Sequence, residues 1–287
     1  MSSSLNSNVH NCLTVDVEDW FHICGVDDIL PESTWDALPS RVEQNTRDLV
    51  ELLDRARVRA TFFVLGWVAA RFPQLVADIV SAGHEIGSHG DTHRRVYELS
   101  PQSFAAELET SRARLIGAGA PSVRGFRAPE WSINDRSLWA LDVLVEKKFA
   151  FDSSMTPLRI IGNPRYPQTP HRRAAKGGEL LEFPPLVARR FGQNMPIGGG
   201  WGLRMSRPAR VLAAVESHNK AGAPAALFVH PWEIDPDPPQ VTLPRGRAFA
   251  HYFRLSGFKR RLDEIVRGAS FAPMGEVLQQ GSWALKP

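Results

Sequence analysis

The feature that most constrains this chain is a regular alternation of short, β-branched apolar runs with segments of helical spacing. CLTVDV (Cys12–Val17) reads as a buried strand that ends in a cluster of acids. A helix is predicted from about Ser40, where Val42, Leu49, Leu52 and Leu53 return near helical spacing. RATFFVL (Arg59–Leu65) is a second strand signal, followed by a helix from Trp67 to Ala82 that Gly83 closes. His84–Ser88 is a third strand running into a polar turn. Ser100-Pro101 then opens a helix with a capping serine and a proline at its first position, and Gly117 and Gly119 end it. Val123–Arg127 is another strand, Asn134–Glu146 a helix, Phe149–Phe151 a strand, and Ala225–Val229 resumes the alternation. Strands separated by helices pair in parallel, in a sheet either open or closed into a barrel. Thr156–Gly178, rich in Pro, Gly, Arg and Lys, is predicted to be a long surface excursion. No linker divides the alternation and nothing repeats at a fixed period, so the 287 residues are expected to form one domain after a polar, flexible tail over residues 1–10.

Composition bounds the partners. Hydrophobic residues at 43% and charged residues at 23% suit a globular protein with a substantial core. The net charge of +3 comes from 34 basic and 31 acidic residues, scattered rather than striped, which argues against nucleic acid. Two cysteines, Cys12 and Cys24, without CxxC spacing, exclude a disulfide scaffold. The opening MSSSLNSNVHN has neither the basic nor the apolar region of a secretory signal. The longest apolar run, Ala60–Ala70, is interrupted by Gly66 and falls short of the roughly 20 residues of a membrane helix. A soluble, cytoplasmic protein without a transmembrane segment is the expectation.

Four predicted strands end in groups suited to hydrolysis, and in parallel α/β folds the carboxyl ends of strands carry the chemistry. They are Asp16-Val17-Glu18-Asp19, His89-Gly90-Asp91-Thr92-His93, Arg127-Ala128-Pro129 and His230-Pro231-Trp232. Two imidazoles four residues apart can converge on one ion, as they do on a helical turn, and a carboxylate from elsewhere completes a set that leaves a position open. Three carboxylates in four residues repel one another unless a cation compensates. Asp16 and Glu18 should share one side of an extended strand, while Asp19 is free to swing round where the strand ends. A buried Arg127 beside Asp16 would keep that carboxylate ionised, and a histidine at the end of ALFV is a good acid or base near neutral pH. His84 starts its strand on the opposite side and reads as structural. For each of these groups a solvated or satisfied structural role is the competing reading.

Taken in order, TVDVED, TFFVLGWVA, GHEIGSHGDTH, RGFRAPEW, FDSSMTP and LFVHPWEIDPDPP resemble the polysaccharide deacetylase family of carbohydrate esterases, the NodB-homology group. These segments run from about Leu13 to Asp237. DVEDWF, HPWEIDPDPP and HYFRLSGFKRRLDEIV are further similar to deacetylases encoded with exosortase-linked exopolysaccharide loci. The resemblance implies a distorted, incomplete (β/α) barrel over residues 11–287, with a subfamily-specific extension from about 235. It implies metal ligands at His89 and His93, a catalytic base at Asp16 steered by Arg127, and a general acid at His230 tuned by Asp152. Many members place two adjacent aspartates after the first strand. Here the ligand carboxylate falls on Glu18 or Asp19, and strand alternation favours Glu18. Glu130, between Pro129 and Trp131, is a further departure that bears on the substrate groove.

The implied reaction is removal of N-acetyl groups from amino sugars of a bacterial exopolysaccharide or cell-surface glycan. The implied cofactor is a divalent metal, zinc first, with cobalt, nickel or manganese suiting the same ligands. Pro129, Trp131 and Trp232 are candidates for contact with an N-acetylated oligo- or polysaccharide; for both indoles a place in the core is the alternative. Two other functions compete: hydrolysis of a cyclic imide or ureide, and glycan binding by a catalytically inactive relative. In the cytoplasm the substrate would be a lipid-linked or nascent saccharide at the inner membrane face.

Overall fold

A computed structural model describes residues 9–23 and 25–286. The strands are β1 (Asn11–Val17), β2 (Thr61–Val64), β3 (Glu85–Ser88), β4 (Gly125–Phe126), β5 (Phe151–Asp152), β6 (His171–Ala175), β7 (Gly178–Glu182), β8 (Val187–Arg190), β9 (Gln193–Pro196), β10 (Ala226–Val229), β11 (Phe271–Ala272) and β12 (Leu285–Lys286). The helices are α1 (Val42–Ala56), α2 (Gly66–Arg71), α3 (Pro73–Ser81), α4 (Pro101–Gly117), α5 (Trp139–Glu146), α6 (Trp201–Met205), α7 (Pro208–Lys220), α8 (Arg245–Tyr252), α9 (Phe258–Arg267) and α10 (Met274–Gln280).

The main sheet runs β10-β1-β2-β3-β4-β5-β7-β6-β12, with β11 also on β1. Every pairing in it is parallel except β6 with β7. Its two end strands do not pair with each other, so the (β/α) ring is incomplete. All seven residues of β1 are buried, as expected of a central parallel strand covered on both faces. The helices lay their apolar stripes against it: α1 buries Val42, Leu49, Leu52 and Leu53, and α4 buries Phe104, Leu108 and Leu115.

One register row crosses the sheet: Val17, Val64, Ser88, Phe126, Asp152 and Glu182. The residues just beyond it on β3 and β4 are His89 and Arg127, and the residue just before it on β1 is Asp16. Because strand pairing fixes this register, groups scattered from residue 16 to 182 meet at one edge.

Three sequence expectations are corrected. The helix expected from Trp67 to Ala82 is two helices, because Pro73 lacks an N–H and Phe72 departs from helical geometry (φ −128°, ψ 60°). The helix expected from Asn134 starts at Trp139, since the Ser137 hydroxyl accepts from the Asn134 N–H and donates to the Ser132 carbonyl, holding turns instead. The excursion from Thr156 to Gly178 ends in a strand, β6, that pairs antiparallel with β7. The capping of α4 is as expected, with the Ser100 hydroxyl accepting the Ser103 N–H at 3.1 Å. Residues 1–8 of the expected tail, and Cys24, lie outside the described residues; Cys12 is a buried free thiol. Among the described residues no helix is long and apolar enough to cross a membrane.

Candidate metal centre and hydrolytic site

The site is built from the carboxyl ends of β1, β3, β4 and β10. Glu18 Oε1 lies 2.9 Å from His89 Nε2 and 3.0 Å from His93 Nε2, with all three side chains buried. His89 Nδ1 sits 2.9 Å from the Arg127 carbonyl, which can only accept. That bond fixes the proton on Nδ1 and leaves the Nε2 lone pair facing a carboxylate oxygen. Two acceptors aimed at each other need a cation between them, and two imidazoles with one carboxylate suit a divalent transition metal. These three are the candidate metal ligands among the described residues.

The His89–His93 pair is not on a helix. Gly90 (φ 81°) and His93 (φ 56°) fold the segment back, and the Glu107 carboxylate clamps it through the backbone N–H groups of Asp91 and Thr92. A histidine in the left-handed region is uncommon, and such strain collects where a side chain must be aimed. Glu130 and Trp131 are also left-handed (φ 54° and 55°). The Glu130 carboxylate accepts from the Arg95 guanidinium at 2.8 Å and the Gly25 N–H at 3.2 Å, tying the β4 loop to the segment after β1.

Asp19 is not at the metal centre. Its carboxylate turns to the start of α1 and accepts from the Ser40 hydroxyl and the Arg41 and Val42 N–H groups. It acts there as an N-terminal cap, satisfying donors that the first helical turn leaves free. β1 ends at Val17, and the chain turns just beyond it, so Glu18 faces the histidines while Asp19 faces α1.

Asp16 lies beside the ligands. Its Oδ1 accepts from the Arg127 guanidinium at 2.7 Å, and its Oδ2 lies 4.0 Å from His230 Nε2. Arg127 is itself fixed through Thr14, the Ser153 carbonyl and the Ser153 hydroxyl. Its guanidinium lies over the rings of Phe63 (4.4 Å) and Trp131 (4.8 Å). Pro129 opens the turn carrying Trp131, and both are buried.

The resemblance puts the partner of His230 on Asp152; in the structure the carboxylate bonded to His230 is Glu233. Glu233 Oε2 is 3.0 Å from His230 Nδ1 and also accepts the His230 N–H, closing a single turn started by Pro231. Asp152 instead accepts from the Ser154 hydroxyl and faces Glu182 one strand away. Burial, and then the charge of Asp152, raise Glu182 well above the usual carboxylate range, and burial raises Asp152 to about 6.

Sequence reasoning missed the support behind Glu233. The buried Arg204 donates to Glu233 Oε1 at 2.7 Å and to the carbonyls of Ala250, His251 and Phe253, binding α8 to the site. Trp232 stacks between His230 and His251, at 5.3 and 4.3 Å between ring centroids. With Trp131 8% and Trp232 9% exposed, both indoles are largely covered by protein. The spacing H-P-x-E, a capping pattern, was the available signal for Glu233; Arg204 had none. His22 was also missed: buried and stacked on His93, it accepts the Asp19 N–H through Nδ1.

The charges fit acid–base work. Burial alone would raise Glu18, but the charges of His93 and His230 hold it well below the usual carboxylate range. Burial would lower His230, yet Glu18, Glu233 and Asp16 together push it up to about 9. His84 behaves as a structural residue: its Nδ1 accepts the Ala60 N–H on the far side of the sheet.

Comparison with known proteins follows the same lines. Residues 31–144 match a family model described as polysaccharide deacetylase, and residues 153–279 match one described as a domain of unknown function (DUF3473). The chain is 35% identical over 101 residues to a chitooligosaccharide deacetylase of Bradyrhizobium sp. (strain ANU 289), covering 34% of this chain and 43% of that protein. It is 30% identical over 122 residues to chitin deacetylase 1 of Saccharomyces cerevisiae, covering 38% of this chain and 40% of that protein. The match thus spans less than half the length of these curated relatives. A Mycobacterium smegmatis crystal structure classed with the polysaccharide deacetylases shares the fold, with a TM-score of 0.62 and 19% identity over 98% of this chain and 92% of that one.

Proposed function

We propose that this chain, a member of the polysaccharide deacetylase family, is a metal-dependent hydrolase that removes N-acetyl groups from amino sugars of a bacterial exopolysaccharide or cell-surface glycan. The observation that carries this reading is the meeting, at one sheet edge, of a two-histidine, one-carboxylate set with an arginine-held carboxylate and a glutamate-held histidine. His89, His93 and Glu18 would hold the ion, with zinc the first choice and cobalt, nickel or manganese suited to the same donors. When bound there, a divalent cation supplies Lewis acidity to the acetyl carbonyl.

Asp16 is the base. Arg127 occupies one of its oxygens and fixes the other toward the reacting centre, where it takes the proton of the attacking water. His230 is the acid. Glu233 takes Nδ1, so the proton on Nε2 faces inward and passes to the amide nitrogen as the C–N bond breaks. Water and the amide yield acetate and a free amino sugar. Asp152, which feels the Arg127 charge, bonds to Ser154 rather than to the acid. Pro129, Trp131 and Trp232 wall the site, and Trp201, 40% exposed beside Gly200, is the indole most open to a sugar face.

The catalytic set spans both matched regions. Asp16 and Glu18 precede the first, His89, His93 and Arg127 fall inside it, and His230 and Glu233 fall inside the second. Residues 11–287 therefore act as one catalytic domain, with the part beyond about 235 bracing the acid through Arg204. The proposed site of work is the cytoplasm, on a lipid-linked or nascent saccharide at the inner membrane face. The test is metal content together with acetate release from N-acetylglucosamine oligomers, before and after chelation. Release lost on chelation and restored by zinc supports the proposal. Stoichiometric metal with turnover only of a cyclic imide would transfer the site to that chemistry, and glycan binding without metal would point to an inactive relative.

A further inference from the structure

We infer that the tip of the β8–β9 hairpin and the loop at 158–161 together form a docking surface for an anionic phospholipid bilayer. Ile160 is 93% exposed and Phe191 89%, with Ile161 exposed beside them. The two tips belong to one surface: Asn194, paired with Arg189 across the hairpin, donates to the carbonyls of Pro157 (2.8 Å) and Pro164 (3.4 Å). Phe191 sits in the left-handed region (φ 50°), followed by Gly192 (φ 73°). A phenylalanine there is strained, and its ring meets water, so folding alone does not account for it.

The charge along the segment that carries the tips is mostly basic, and the acid that reaches its loop from outside, Asp135, is held by Asn163 and Tyr166. From Ser153 to Val215 the only acids are Glu179 and Glu182, against ten basic residues. Glu182 is buried in the main sheet and Glu179 pairs with Arg172. Arg159, Arg189 and Arg190 flank the apolar tips and form no ion pair among the described residues; Arg190 lies over the Phe191 ring at 4.8 Å. Exposed aliphatic and aromatic tips set among unpaired arginines match the bilayer interface, where apolar groups enter the acyl boundary and guanidinium groups meet phosphates. An acidic glycan would use the arginines but leave Ile160 and Ile161 in water, so the bilayer is favoured. From the tip, β9 leads to Gly199, which bridges to Phe228, and to Gly200, where a Cβ would lie 3.8 Å from His230 Cε1. Docking through the tip would therefore hold the catalytic edge close to the membrane.

The experiment is co-sedimentation of the full chain with vesicles of phosphatidylcholine alone or with about a third phosphatidylglycerol. Binding is expected only with phosphatidylglycerol and should weaken with salt. Ile160→Ser with Phe191→Asn, the asparagine suiting the left-handed position, should lose about tenfold or more in partitioning. Arg189→Gln with Arg190→Gln should lose about 25-fold, at roughly fivefold per arginine. Unchanged thermal unfolding in both double variants would show that the fold is intact. The inference is overturned by equal partitioning of the wild type and the variants, or by no wild-type binding to anionic vesicles. It is also overturned by binding to an acidic polysaccharide that depends on the arginines but not on Ile160 and Phe191.

Discussion

Asp16 and His230 face each other across the space between Arg127 and Glu233, and the proposed chemistry divides between them. Asp16→Asn keeps the shape and removes the base, so kcat should fall by about 10²–10⁴-fold with the fold intact; near-normal turnover in a steady-state assay would refute the role. Glu233→Gln removes the charge that, after Glu18, most raises His230. The alkaline limb of the pH profile should then move to lower pH, and Glu233→Asp should restore part of it. An unmoved limb would make Glu233 merely structural. Most of this set was legible at the residue scale. Asp16, His89, His93, Arg127 and His230 each follow a strand signal, and strand ends are where side chains converge. Glu18 over Asp19 was legible from alternation as well. The carboxylate bonded to His230 Nδ1 is Glu233 rather than Asp152, because a residue three positions on in a proline-started turn reaches that nitrogen first.

At the scale of the element, Asp19 belongs to α1. Asp19→Ala should cost about 1 kcal/mol or somewhat more in unfolding free energy by removing the cap, while metal stoichiometry stays unchanged; loss of metal with full stability would reverse the assignment. His84, just before β3, gives a pH prediction. Burial holds His84 at about 4, below its usual 6.5, so it stays neutral when folded and charges when unfolded. Its contribution is complete above about pH 6.5 and is lost as pH falls toward 4, by up to about 3 kcal/mol. Denaturant unfolding of His84→Gln should therefore depend less steeply on pH across that window than wild type; identical slopes would exclude it. Element signals were strong where apolar periodicity was strong, as in β1, α1 and α4. They failed over β6 to β9, short strands with few apolar residues that are held by their pairing partners, and returned at the apolar β10.

Across the whole molecule, metal and fold should be coupled, since the proposed ligands come from the segments just after β1 and β3. Binding only to the folded chain, a metal raises stability by mass action, so chelation should lower the melting temperature by several degrees and zinc should restore it. A melting temperature indifferent to both would argue against a resident ion. The sequence by itself determined the alternating α/β architecture and the residue types at each strand end, because these follow from local periodicity and short-range spacing, and its ordered motifs carried the resemblance to the polysaccharide deacetylases. Only the tertiary structure decided which of the acids meets the histidines, that Glu233 rather than Asp152 holds His230, and that Arg204 binds α8 behind it. Those choices depend on strand register, on where a strand ends and on contacts between residues nearly fifty positions apart, and no local pattern encodes them.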